Sequence, residues 1–350
     1  MLELCNIFRI EITMRKGILL LISFVVFSCA SHEPSSKVLE LDEGIPVVAK
    51  EYKNELIITN PLDLAVIDNK LVLFMHSGEK PLLIVNPDDG TLTGSWGEFG
   101  NGPDEFTAPT YWGHDKSKQE LYLYDANYRV LRVYRYQAAG DSLSFNRIRE
   151  VAMSDEIMVN CGTVLDNSNI VTSVLFFGNA PIQLLDKDLR TLSGFGWLSE
   201  QGDSSTDMRT FKGRLSSYKN SFAFGMDGIG YLAFYNQTDT TAYKEWEVYL
   251  DKPLYVGDRL DLKKVKQGFL DIEVTKHYVI CSYCGKPYSR EDGGFYGYNI
   301  LVFDHDGDLV HNLKLDREIG RIAVSDDEKT VYAVAYEPDI CIVRYTLNDL

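Results

Sequence analysis

Gly97-Glu98-Phe99-Gly100-Asn101-Gly102-Pro103-Asp104-Glu105-Phe106-Thr107-Ala108-Pro109 decides the fold of this chain. Its three glycines and two prolines interrupt helix and strand alike, because glycine adds backbone freedom and proline removes an N–H donor. The segment reads as a linker held in a fixed bend, with Glu105-Phe106 as its plug: the ring buried, the carboxylate aimed at a neighbouring backbone amide. A short strand (Thr110 to Asp115) and a Lys/Ser turn follow. Two alternating strands come next, Glu120 to Asp125 and Val130 to Tyr136, joined by Ala126-Asn127-Tyr128-Arg129. Leu121 and Leu123 alternate with Tyr122 and Tyr124, so both faces of that strand are apolar and both need cover. Such a strand inside a short antiparallel meander predicts one blade of a β-propeller.

With this unit as a ruler, the pattern recurs. Six units of up to four strands, lettered A to D from the axis outwards, run through Leu62–Gly97, Thr110–Val151, Asn160–Trp197, Asn220–Tyr249, Gly268–Leu315 and Gly320–Tyr345. In the fourth, Asn220–Met226, Gly230–Tyr235 and Ala242–Tyr249 are expected as strands A to C, with an outer strand before Lys263. Polar turns recur between strands C and D: Asn86-Pro87-Asp88-Asp89-Gly90, Asp186-Lys187-Asp188 and Asp304-His305-Asp306-Gly307-Asp308. The last has part of a calcium-loop spacing but no distal glutamate, so it reads as a hairpin. The sixth unit lacks an outermost strand. A ring must close or leave an edge exposed, so Lys37 to Leu41 or Ile45 to Lys50 is expected to supply it. The fold class is thus all-β, a six-bladed β-propeller whose last blade is closed by an N-terminal strand.

Gly97–Pro109 with the Glu120–Tyr136 strands resembles an NHL-type propeller repeat. Six units behind a lipobox-like N-terminus are similar to the TolB-like six-bladed propeller lipoproteins of Gram-negative bacteria. The resemblance covers residues 37–350 and implies fold and location more than activity. Some six-bladed relatives are metal-dependent hydrolases or lyases with a site at the central tunnel, which keeps an enzyme open as the alternative function. For that alternative, Asp115, Asn160, Asp166 and Asp227 are the available tunnel residues.

The N-terminus reads as an address. Met14-Arg15-Lys16 suits the basic start of a signal peptide, and Gly17 to Phe27 is an apolar run too short to span a bilayer. Glu3 and Glu11 do not suit such a start, so translation is expected from Met14. Val26-Phe27-Ser28-Cys29 resembles a bacterial lipobox, with Phe27 bulkier than the usual residue. Residues 1–28 are then a signal peptide, Cys29 the lipidation site, 29–36 an anchored linker and 37–350 the propeller. Ala30 stands where aspartate would retain the protein at the inner membrane. The expected location is the outer membrane, periplasmic or surface-facing, with the membrane a partner through the N-terminal lipid.

Lys and Arg total 35 against 51 Asp and Glu, a net charge of −16. That excludes non-specific nucleic-acid binding, which needs basic surface to displace counterions. Cys281-Ser-Tyr-Cys284 lies on a β-run, where positions three apart point to opposite faces about 10 Å apart, so buried thiols are expected rather than a redox pair or a zinc site. No catalytic motif is present, the six histidines are isolated, and neither a cofactor nor a metal is expected.

In an A-B-C-D meander the B–C loops and D-to-A linkers share one face, and the A–B and C–D turns share the other. The first face is expected to collect Gly97–Pro109, Asp125–Arg129, Phe177–Pro181, Asn236–Thr240, Tyr283–Tyr298 and Glu337–Asp339. Aromatic and basic residues on a long loop suit protein or glycan recognition. The candidate binding residues are therefore Glu105, Tyr128, Arg129, Lys286, Tyr288, Arg290, Tyr296 and Tyr298. The expected function is a lipid-anchored envelope binding or scaffolding module, with an envelope protein or glycan bound on that face.

Overall fold

Leu121 and Leu123 pack into one apolar cluster with blade 1, while Tyr122 and Tyr124 pack into another with blade 3. That division repeats around the molecule and makes the ring. The computed structural model describes residues 34–52, 56–176, 180–198, 211–256, 259–261, 263–288 and 296–347. The signal segment, Cys29 and Arg290 lie outside the described residues.

Blades 1 to 3 are four-stranded antiparallel sheets. Their inner strands are Asn60–Ile67, Pro109–Asp115 and Met158–Val164, and their outer strands are Leu92–Trp96, Ser142–Ala152 and Thr191–Phe195. Blade 5 starts at Phe269–Val274. Its outer strand and the inner strand of blade 6 are one continuous run, Leu309–Val324, so two blades join into a single eight-stranded sheet. A register shift between Ile319 and Ile322 marks the passage from one blade to the next. Six apolar clusters fill the six inter-blade spaces. The last joins Leu64, Leu71 and Leu73 of blade 1 to Tyr332, Val334 and Ile342 of blade 6.

Blade 4 differs from the sequence reading by one strand. Its inner strand is Gly213–Tyr218, followed by Ser221–Met226, Tyr231–Gln237 and Ala242–Tyr249. Gly213-Arg214-Leu215-Ser216-Ser217-Tyr218 carries few apolar residues because it faces the axis. Asn236–Thr240 is consequently a C–D turn and belongs to the face opposite the one expected.

The N-terminal segment closes the ring by a longer route than a single strand. Ser35–Val38 adds a parallel fifth strand to blade 4, Ile45–Val47 lies parallel along the edge of blade 5, and Lys50–Glu51 pairs antiparallel with Cys341–Thr346. Closure of the last blade thus rests on two residue pairs, Val343 with Glu51 and Arg344 with Lys50. Polar ties hold this belt: Lys37 pairs with Asp308 at 2.6 Å, and the Asn312 side-chain amide donates to Asp42 at 2.9 Å.

The polar C–D turns are hairpins as expected. Asn86, Asp186 and Asp304 each accept, through Oδ1, the amide of the residue two positions on, at 2.8–3.0 Å. Cys161, Cys281 and Cys284 are buried and Cys341 is partly buried.

Candidate binding cavity on the propeller axis

The glycine-rich linker builds its bend as its residues dictate. Glu105 Oε2 accepts the Gly102 N–H at 2.7 Å, and a Cβ on Gly100 would lie 2.0 Å from that same oxygen, so a side chain there would displace the carboxylate from the Gly102 amide. Phe106 is buried against Trp96 and Tyr134. Arg132 clamps the bend by donating to the Glu105 carbonyl at 2.7 Å and to Glu150 at 2.8 Å. Asp125, almost wholly buried, accepts from the Thr107 N–H and hydroxyl and from the Asn127 N–H. Nothing in the motif had singled out Arg132 or Asp125, yet they hold it in place.

Contacts of this kind occupy most of the described residues expected to bind a partner. Glu105 is committed to the linker. Arg129, at φ 55°, donates to the Ser154 and Ile157 carbonyls. Tyr128 donates to Asn101 at 3.1 Å and lies under Arg132. Lys286 is paired with Glu318 and lies over the Tyr298 ring. Tyr298 donates to Glu337, Tyr296 stacks on Tyr336 at 3.7 Å, and Tyr288 is exposed. Glu105, Tyr128 and Arg129 belong to blade 2, and Lys286, Tyr288, Tyr296 and Tyr298 to blade 5, across the ring. The structure brings them to one face but not to one site.

The concavity with converging polar groups lies on the axis. It has a volume of about 680 Å³ and takes residues from all six inner strands, among them Asp63, Tyr111, Cys161, Arg214, Asp271 and Val324. A–B turn residues Lys116, Asp166, Lys219, Lys276 and Asp326 form its mouth, so it opens on the face opposite the B–C loops. A second concavity of about 550 Å³, along the edge of blade 1, is lined mainly by apolar groups such as Leu56, Ile57 and Leu92. Its polar groups are few, and ligand sites combine apolar walls with placed polar groups; the axial cavity fits that description better.

At the inner end of the axial cavity, Asp63 lies 3.6 Å from Arg214 and 3.8 Å from Arg321. Asp271 Oδ2 accepts the Ile322 N–H at 2.9 Å, and Ser216 donates to Glu273 at 3.3 Å. These carboxylates keep a little surface towards the cavity while protein encloses them elsewhere. Burial penalises their ionised forms. It pushes Asp63 up to about 6 despite the opposing pull of Arg214, and Asp271 up to about 7, again against the pull of Arg214 and with the Asp63 charge adding to it. Burial and the Asp271 charge hold Glu273 well above the ordinary range. Nearer the mouth, burial pushes His114 down to about 4, and the Tyr111 hydroxyl lies 2.7 Å from its Nδ1.

Of the residues considered for a tunnel metal, Asp115 accepts from Ser117 and pairs with Lys118, Asn160 donates to the Gly213 carbonyl, and Asp227 pairs with Lys212 at 3.0 Å. Asp166 stands at the cavity mouth. Among the described residues no group of three or more His, Cys, Asp or Glu is arranged to hold a metal ion. The carboxylates that do face the axis, Asp63, Asp271 and Glu273, were not singled out from the sequence. Leu270-Asp271-Ile272-Glu273-Val274 nevertheless alternates and puts both acids on one face of an inner strand.

A family model described as TolB-like 6-blade propeller-like matches residues 45–327, well over half of the chain. Among curated proteins none matches significantly. Solved structures share the architecture at low identity. A Bacteroides fragilis protein assigned to export has a TM-score of 0.59 at 11% identity, covering 89% of this chain and 99% of its own. A luciferin-regenerating enzyme has 0.52 at 10%, covering 86% and 96%. The Cps50 (Swd1) propeller domain of Myceliophteria thermophila has 0.50 at 10%, covering 86% and 100%. At such identities the likeness shows the fold alone.

Proposed function

The chain belongs to the TolB-like 6-blade propeller-like family, and from that premise we propose that it is a lipid-anchored binding module of the cell envelope whose ligand enters the axial cavity from the turn face. The observation that carries this reading is the cavity itself: about 680 Å³, within the usual range of ligand pockets, with polar groups from several blades converging on one end. Fold alone does not give function; the site does. The B–C loop face remains a surface on which an envelope protein or glycan can dock, but its polar residues are engaged by their own blades. The axial cavity offers what that face does not, a set of enclosed groups left for a ligand. Among the described residues no three of the carboxylates on the axis are arranged to hold a metal ion, so binding is the reading the geometry supports best.

The envelope address rests on the Met14–Cys29 sequence pattern. Five residues separate Cys29 from Ser35, where the belt begins its run parallel to Ala242–Tyr249. A tether of that length reaches at most about 20 Å. A lipid on Cys29 therefore favours an orientation with the turn face, and the cavity mouth, towards the membrane.

The test is a ligand-observed fragment screen of the full chain against Ser217→Trp, which fills the cavity near its mouth. Cavity ligands are expected to bind the native chain, lose binding in Ser217→Trp and shift the Trp112 indole resonance. Hits that are the same in both chains and leave that resonance in place would remove the cavity from the argument, whether or not the variant is fully stable.

A further inference from the structure

Asp271 and Glu273 stand two residues apart on the inner strand of blade 5 and face the cavity. Among the described residues neither has a cation within 4.0 Å: Arg214 and Arg321 lie against Asp63, and Arg321 also donates to the Leu270 carbonyl at 2.7 Å. Arg214 acts on Asp271 from a distance and is shared with Asp63; the other ionisable groups acting on this pair or acted on by it are Asp63, Tyr111, Tyr336 and Cys281, none of them cationic. An enclosed carboxylate whose countercharge is shared or absent is costly and takes up a proton instead. Three carboxylates here face two guanidinium groups, so this wall of the cavity is short of positive charge.

Trp112, on blade 2 and so across the ring from blade 5, also lines the cavity. It is buried, and its indole N–H has no hydrogen-bond partner among the described residues. Buried donors are nearly always satisfied, so this group calls for an acceptor. The rest of the lining mixes polar side chains with apolar ones, Leu215, Ile272 and Val274 among the latter. Those apolar groups give a carbon body a place beside the charge, which a bare ion would leave unused.

We propose that the cavity takes a hydroxyl-bearing organic ammonium ion. Its charge lies against Asp271 and Glu273, and its hydroxyl supplies the acceptor that Trp112 lacks. The inference rests on the axial cavity being the binding site and adds the chemical class of the ligand. An ammonium group carries three donors on a compact charge, which suits two carboxylates whose hydrogen bonds from the protein leave acceptor capacity unused. Because those carboxylates hold protons when no cation is present, binding is accompanied by proton release.

The probes are 4-aminobutanol and its neutral isostere 1,4-butanediol, titrated calorimetrically into the full chain in two buffers of different ionisation enthalpy at pH 6.5. The amine is expected to bind at least tenfold more tightly than the diol and to release protons. Glu273→Gln and Asp271→Asn are each expected to weaken the amine at least tenfold and leave the diol unchanged; two variants guard against one of them failing to fold. Equal binding of both probes, with both lost in Ser217→Trp, would overturn the ligand class and leave the cavity reading standing. Amine affinity unchanged by both variants, no proton release, or no binding of either probe would also overturn the inference. The cavity reading itself is judged separately by the fragment screen.

Discussion

Asp271→Asn should stabilise this protein at neutral and alkaline pH. Burial raises the folded carboxyl from its ordinary 3.8 to about 7. Across that window the folded state holds more proton than the unfolded one, so wild-type stability falls as pH rises and levels off above about 7. Three units correspond to roughly 4 kcal/mol at about 1.4 kcal/mol each. The penalty is shared with Asp63 and Glu273, so one substitution should return about 1–3 kcal/mol. Asparagine keeps an acceptor for the Ile322 N–H and removes the charge. For about 316 residues at roughly 2.1 cal/mol/K each, the unfolding entropy is about 0.65 kcal/mol/K, so the gain reads as about 2–5 °C in Tm. Scanning calorimetry at pH 4.5, 6 and 8 measures it. The gap should be about a quarter of its full size at the lowest pH and full at the highest. The depressed His114 destabilises both proteins alike as pH falls below 6.5 and cancels from the difference. A variant that melts lower than wild type at pH 8, or by the same margin at every pH, would show that the Asp271 charge supports the fold, and the reasoning would fail.

Removing Ser35–Glu51 takes away the edge pairings on blades 4, 5 and 6; aggregation or a Tm drop on the order of 5 °C is expected, whereas an unchanged melt would mean the ring closes without the belt. Gly162→Ala places a Cβ 2.6–2.8 Å from the ring of Trp112, which is held by stacking on Tyr124 at 4.4 Å. Overpacking of about 1–3 kcal/mol should follow, seen as a lower Tm with altered tryptophan fluorescence; native behaviour would mean the ring can move. Cys29→Ala should release the protein from membranes on fractionation, and continued retention would rule out a lipid anchor at that cysteine.

Blade architecture was legible because the middle strands are apolar on both faces, as in Leu121 to Tyr124, and because Asn86, Asp186 and Asp304 end strands at equivalent places. The inner strand of blade 4 was not, since Gly213–Tyr218 borders the cavity and exchanges apolar residues for Arg214, Ser216 and Ser217. That loss hid the site as well. Arg214 has meaning only beside Asp63 and Asp271, which come from blades 1 and 5, and no spacing along the chain brings the three together. The loops with aromatic and basic residues stood out by composition. Composition does not reveal that Arg129 reaches backbone carbonyls or that Lys286 is matched by Glu318.

The two residue pairs joining Lys50–Glu51 to Val343 and Arg344 link positions almost three hundred apart. During synthesis the segment that completes the last blade is made well before its partner, which appears only after nearly three hundred further residues. Loop closure grows more costly only slowly with length, but contacts so distant along the chain form late and slow the overall reaction. Until then the growing chain carries an unpaired edge and one unsealed inter-blade face, the state most open to aggregation. Refolding of this protein should accordingly show one slow, all-or-none acquisition of protease resistance rather than blade-by-blade protection.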